Sequence, residues 1–365
     1  MHTYIPIEEQ NINILGRTKK NNPLPLFWTG SGVEFAVDGT ELYFDFETDF
    51  EIHEQWIRIE INGYPMLRTS LVKGKSTVCA FYGLVAEEVK RVRLIKEVQP
   101  MRTDNSNKLL LCAIRSDGQL HAIEEKKYKL EFIGDSITSG EGMAGSTDMH
   151  VFASSIFSTW GHYALETGKK LNADVRILSQ SGWGVCSSWD NVPRHTMPMY
   201  YEHVCGIVLG EANKELGAFE VNDFDEWKPD AVIVNLGTND GFAFDNKPWI
   251  DENGIAYQQK RNPDGSLEKE STDRFEKAVY DFLVKLRDCN PKSYIMWVYG
   301  MIGRTMQTYI ENALNKYAED TKDEKVSFVL LPDLEEEWIG ANNHPNQLSH
   351  RAAAEVVVKA LKEVL

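Results

Sequence analysis

Hydrophobic and polar positions follow two different rhythms along this chain. Through the first 125 residues, short runs rich in β-branched and aromatic residues recur at 33–37, 42–46, 56–61, 77–82, 89–95 and 109–114. Between them, Asp38-Gly39, Asn62-Gly63 and Asp117-Gly118 supply the positive-φ residues that tight hairpins need. This texture predicts an all-β region, a two-sheet sandwich or jelly roll. From Tyr128 the pattern changes to apolar strands at 130–133, 175–178, 231–236, 294–298 and 328–331. Helical periodicity of three to four residues returns near 155–171, 274–289, 307–320 and 347–365. Strands alternating with helices predict a parallel sheet covered on both faces, an α/β architecture. The change of texture falls around residues 121–127, so a β domain is expected over 1–125 and an α/β domain over 126–365. Two long insertions, 187–228 and 242–273, interrupt the α/β part, and loops of that length often shape a site.

Composition narrows the function. A 42% hydrophobic and 26% charged chain is globular, and a formal charge of -16 without a basic stripe excludes a nucleic-acid partner. No apolar stretch reaches the ~20 residues that span a bilayer, and Met1 to Gln10 lack a basic segment followed by an apolar run. A soluble cytoplasmic protein with no membrane partner is the expectation. Five scattered cysteines form neither a CxxC pair nor a Cys/His cluster, so no disulfide scaffold, metal site or cofactor is expected; most read as small buried apolar residues.

In open α/β sheets the ligand crevice lies beyond the carboxyl ends of the strands. Four blocks stand out: Gly134-Asp135-Ser136-Ile137, Ser181-Gly182-Trp183-Gly184, Gly237-Thr238-Asn239-Asp240 and Asn343-His344-Pro345-Asn346. The first three each follow an apolar strand. Singly each is weak: GDS occurs by chance, GTND reads equally as a plain turn, and a histidine before proline is more often structural. Together and in this order they resemble the SGNH (GDSL) hydrolase family, whose signature Ser, Gly, Asn and His lie on separate blocks. The resemblance spans roughly residues 128–365 and implies a three-layer α/β/α hydrolase domain. A serine hydroxyl needs a base, and Ser136 stands where a strand gives way to a helix whose N-terminus favours an oxyanion. The resemblance makes Ser136 the nucleophile, His344 its base, and the Ser136 N–H, a glycine N–H and the Asn239 amide the oxyanion hole. Gly184 and Gly182 both fit the glycine role, with Gly184 favoured.

Most members of that family carry Asp three residues before the histidine; this chain has Ala341 there. Either a backbone carbonyl holds the imidazole, the preferred reading, or a distant acid such as Asp333 or Glu337 substitutes. Asp135 reads as a turn-fixing residue and His350 as a packed or capping histidine.

The β region adds Gly16-Arg17, the run Phe27-Trp28-Thr29-Gly30-Ser31-Gly32 and Trp56-Ile57-Arg58-Ile59. Ahead of an SGNH domain these look like carbohydrate esterase family two. That resemblance implies a metal-independent acetyl esterase acting on acetylated mannan- or xylan-type oligosaccharides, commonly through a Ser-His dyad. Trp183, Trp189 and Trp249 are candidates to stack on sugar rings, against the alternative of ordinary core packing. A lipase or thioesterase for longer acyl groups and an inactive carbohydrate-binding protein are the competing readings. The oligomeric state is not legible.

Overall fold

The computed structural model describes residues 3–7 and 9–365; Met1, His2 and Glu8, inside the expected β region, lie outside the described residues. One antiparallel sheet joins Thr3–Ile5, Leu24–Pro25, Glu41–Asp49, Gly74–Tyr82 and Lys108–Ser116. A second joins Asn13–Leu15, Gly32–Val37, Trp56–Ile61, Tyr64–Ser70, Lys90–Lys96 and Leu120–His121. Alternation explains the pairing: along Glu41–Asp49 the residues Leu42, Phe44 and Phe46 are buried while those between are half-buried. They meet Phe35, Ile57, Ile59, Val92 and Leu94 of the second sheet in one shared core, which makes a sandwich. Asn62 and Gly63 take φ of 52° and 81° and close the hairpin from Trp56–Ile61 to Tyr64–Ser70, as their sequence predicts.

The α/β part is built on five parallel strands in the order Ala173–Ser179, Tyr128–Gly134, Ala231–Asn235, Tyr294–Met301, Val326–Asp333. Successive side chains of these strands face opposite cores. Phe132, Ile177, Ile233 and Val298 pack with the helices Tyr163–Leu171 and Gln347–Lys362. Ile133, Val232, Val234 and Trp297 pack with Lys269–Cys289 and Gln307–Thr321 on the other side. Of the expected helices, the one near 155–171 is shorter: a single 3₁₀ turn at Ser154–Ile156, then a break, then Tyr163–Leu171. Gly161, at φ 77°, interrupts the periodic run there. All five cysteines are free, but their burial differs from expectation: only Cys205 is fully buried.

Two consequences position a site. Chain order 2-1-3-4-5 places a crevice where the connections from the first and third strands diverge, above Gly134 and Asn235. The β region also packs on the α/β part, through apolar residues such as Phe27, Trp28, Val98 and Met101 and through buried polar contacts. Arg17 Nη2 pairs with Glu131 Oε2 at 3.0 Å, Trp28 Nε1 donates to the Val204 carbonyl at 2.8 Å, and Glu97 accepts from both Arg58 and Thr159.

Candidate active site

Strand Tyr128–Gly134 ends at Asp135, which caps the one-turn helix Ser136–Ser139 by accepting the Ile137 N–H at 3.0 Å. Asp135 thus fixes the turn, as expected, and it does more. Its Oδ2 accepts from Asn239 Nδ2 at 3.2 Å. Burial, reinforced by Asp240 and Glu141 nearby and opposed by the Ile137 N–H, pushes its carboxyl up to about 7.

After Gly140 the chain turns back at Gly142, φ 78°, where a side chain would meet the Ala341 carbonyl oxygen at 2.4 Å and His344 Cβ at 2.5 Å. Only glycine lets the loop after Ser136 lie this close to the histidine loop. The Ala341 N–H donates to the Gly142 carbonyl at 3.0 Å and locks the two together.

The histidine loop brings a backbone carbonyl to the ring where most members of the family carry an Asp. Asn342 and Asn343 have φ of 53° and 56°, the left-handed region that asparagine tolerates better than most residues. This turn brings the Asn342 carbonyl oxygen to 2.8 Å from His344 Nδ1. A carbonyl only accepts, so Nδ1 carries the proton, and in the neutral ring the lone pair is on Nε2. Neither distant acid pairs with His344: Asp333 pairs with Arg304 at 2.6 Å on the surface, and Glu337 is exposed. Asp333→Asn and Glu337→Gln are therefore expected to keep ester turnover within about threefold of wild type, against the ~10⁴-fold loss when a triad Asp is changed. Steady-state rates of both folded variants check this, and a triad-scale loss in either would reveal a hidden partner.

The remaining blocks converge on the same crevice. Asn239, in the helix Thr238–Ala243, is held by the Trp183 carbonyl at 2.9 Å as well as by Asp135. Asp240 accepts the backbone N–H groups of Val185, Cys186 and Ser187, tying the second block to the third. Burial raises its carboxyl to about 6 even against those three donors. Gly184, the favoured glycine, is packed on this anchor: a Cβ there would fall 2.2 Å from Asp240 Oδ2, and its carbonyl accepts from Met197. It is buried and does not line the crevice, whereas Gly182, φ 80°, does. Of the two candidate glycines, Gly182 is thus the one that lines the cleft. Among the described residues, neither the Ser136 N–H nor the Gly182 N–H has a protein acceptor.

Ser136, Gly182, Asn239 and His344 line one cleft of about 650 Å³. Its rim is aromatic: Phe152, Trp189 and Phe242 reach it from three separate segments, each between 45% and 49% exposed. Trp183 is instead buried, stacked on His195 at 5.3 Å with the Arg102 guanidinium 5.5 Å from its ring centre, and Trp249 packs on Tyr257 across a small hairpin and on Arg194. Neither lines the cleft. His350 is fully buried and accepts the Tyr163 N–H, a packed histidine as expected; burial, with His162 and His344 adding to it, holds it well below its usual range.

Sequence reading missed Glu141, which is buried, lines the cleft and approaches His344 Nδ1 at 3.8 Å. It also missed Gln99, whose Oε1 accepts from Ser139 Oγ and the Ser181 N–H and so braces the site from the β region. No group of three or more His, Cys, Asp or Glu among the described residues has a metal-holding arrangement.

The GDSL-like Lipase/Acylhydrolase family profile matches residues 130–357. The fold superposes on an acetyl xylan esterase (Est2A) from the rumen bacterium Butyrivibrio proteoclasticus with a TM-score of 0.97 and 43% identity, covering 100% of this chain and 98% of that one. A family two carbohydrate esterase from Clostridium thermocellum, solved with cellohexaose, shares the fold at a TM-score of 0.78 and 23% identity over 96% of this chain and 98% of that one. Among curated proteins, the cellulase/esterase CelE of Acetivibrio thermocellus is 25% identical over 93% of this chain. The chain spans only 37% of the length of that relative. With the profile covering well over half of its residues and one solved structure matching it end to end, the chain belongs to the GDSL-like lipase/acylhydrolase family, the SGNH hydrolases.

Proposed function

We propose that this protein is a carbohydrate O-acetyl esterase that removes acetyl groups from mannan- or xylan-type oligosaccharides. The observation that carries the reading is the convergence of Ser136, Gly182, Asn239 and His344 on one cleft, with the His344 tautomer set by the Asn342 carbonyl. In this reading Ser136 Oγ attacks the acetyl carbonyl carbon while His344 Nε2 takes its proton. The Ser136 N–H, the Gly182 N–H and the Asn239 amide receive the oxyanion. Collapse breaks the C–O bond to the sugar, and the imidazolium returns the proton to the departing alkoxide. Water, deprotonated by the same histidine, then releases acetate from Ser136.

The sugar assignment draws support from the end-to-end likeness to an acetyl xylan esterase and from two proteins of Cellvibrio japonicus named acetylxylan esterase / glucomannan deacetylase. Trp189, Phe152 and Phe242 offer flat apolar faces that suit the C–H faces of pyranose rings. We read residues 1–125 as a β-sandwich domain of the jelly-roll kind and 126–365 as the hydrolase domain, with the two joined into one site by Gln99.

The same apolar rim, with Ile302 beside it, is what favours the rival reading of a longer-acyl esterase. Acetyl and octanoyl nitrophenyl esters, compared with acetate release from acetylated xylan and glucomannan oligosaccharides, separate the two. The expected result is kcat/KM at least tenfold higher for acetyl than for octanoyl and measurable acetate from the oligosaccharides. A preference for octanoyl with no acetate released would overturn the proposal.

A further inference from the structure

We propose that Glu141 is the positioning carboxylate of this site, supplying to His344 the negative charge that its backbone partner cannot. The inference rests on the reading of Ser136 and His344 as the reacting pair. Three observations place Glu141 in this role. It is buried yet lines the same cleft as Ser136 and His344. Its Oε1 accepts from Asn342 Nδ2 at 2.8 Å and lies 3.8 Å from His344 Nδ1. Its Oε2 accepts from Ser181 Oγ at 2.6 Å, and Ser181 is itself held by Gln99.

The division of labour follows from the geometry. The Asn342 carbonyl accepts the Nδ1–H hydrogen bond and fixes the ring, but a neutral dipole stabilises an imidazolium less than a full charge does. Glu141 grips the side chain of that same Asn342, so one residue presents its carbonyl to the histidine and its amide to the carboxylate. At 3.8 Å Glu141 is too far for a hydrogen bond to Nδ1 but close enough for strong attraction once the ring is charged. Its burial limits screening by water and salt. The carboxylate sits five residues after the nucleophile, on the loop turned back by Gly140 and Gly142, rather than three residues before the histidine.

The charge matters only when the imidazolium forms, so its removal acts on kcat and spares KM. Glu141→Gln keeps the size, still accepts from Asn342 through its oxygen, meets Ser181 Oγ with an amide N–H in the reverse sense, and deletes the charge. On an acetyl nitrophenyl ester its kcat is expected to fall roughly 10- to 100-fold with KM within about twofold. Inhibition by methylboronic acid, whose tetrahedral adduct on serine mimics the charged state, is expected to weaken by a similar factor. Glu141→Asp, which retains the charge at shorter reach, is expected to recover part of the loss. Wild-type kcat in folded Glu141→Gln, a loss confined to KM, or an Asp variant no better than Gln would overturn the inference. Ser136→Ala in the same assay keeps the two claims apart. If it remains active, the reacting pair is wrong. If it is inactive while Glu141→Gln is not impaired, only the role of Glu141 is wrong.

Discussion

Ser136→Ala and His344→Ala are each expected to lower kcat for an acetyl ester by about 10⁴-fold or more, and the double variant is expected to be no worse than either single one. Non-additivity follows from the proposed chemistry, because the imidazole accelerates the reaction only through the serine proton. Neither change should unfold the protein. Ser136 Oγ makes no hydrogen bond within the described residues, and His344 is partly exposed, so the carbonyl it leaves behind can turn to water. Unchanged melting curves beside the kinetics therefore separate loss of chemistry from loss of fold. The serine and the imidazole share a cleft without a direct hydrogen bond, a looseness common before substrate tightens a site, so the kinetic experiment is the decisive one. Near wild-type turnover in Ser136→Ala, or fully additive losses in the double variant, would refute the acyl-enzyme reading.

The parts of this site legible in the sequence are those that a strand end dictates. Ser136 and Asn239 follow apolar runs whose burial is nearly complete, so their position at the crevice follows from the sheet. His344 is legible from its place near the C-terminus in the ordered motif set, and the Asn342-Asn343 pair before it is a local signature of positive φ. What was not legible depends on contacts between segments distant in sequence. Gly182 and Gly184 differ by two positions, and only the packing of Gly184 against Asp240 and the openness of Gly182 beside Trp189 tell them apart. Trp183 and Trp189 lie in an irregular stretch where no period assigns a buried face, so sequence reading had no means to rank them. Glu141 and Gln99 belong to no motif, and both become visible only when Ser181 is seen between them. The helix expected from 155 fails for a local reason instead: its apolar spacing is genuine, but Gly161 inside the run takes a positive φ and breaks the backbone that would carry it.

Asn239→Ala is expected to reduce kcat on an acetyl ester by roughly 10²–10³-fold while leaving KM within a few-fold, the signature of an oxyanion donor used mainly in the transition state. The amide is preorganised for this. One N–H is committed to the Trp183 carbonyl at 2.9 Å, and the other makes the longer 3.2 Å contact to Asp135 Oδ2. That second bond is the one available to an incoming oxyanion. Asp135 has its carboxyl raised to about 7 by burial, so below that pH it is largely neutral and a weaker acceptor than an ionised carboxylate. An oxyanion developing between Ser136 N–H and Gly182 N–H then competes for the amide hydrogen with full charge. Truncation also leaves the Trp183 carbonyl and Asp135 without this donor, at a cost to stability of about 1–3 kcal/mol. Rates must therefore be taken well below the melting temperature of the variant. A loss of less than about fivefold in well-folded Asn239→Ala would remove the amide from the oxyanion hole and leave the Ser136 and Gly182 backbone groups as its donors.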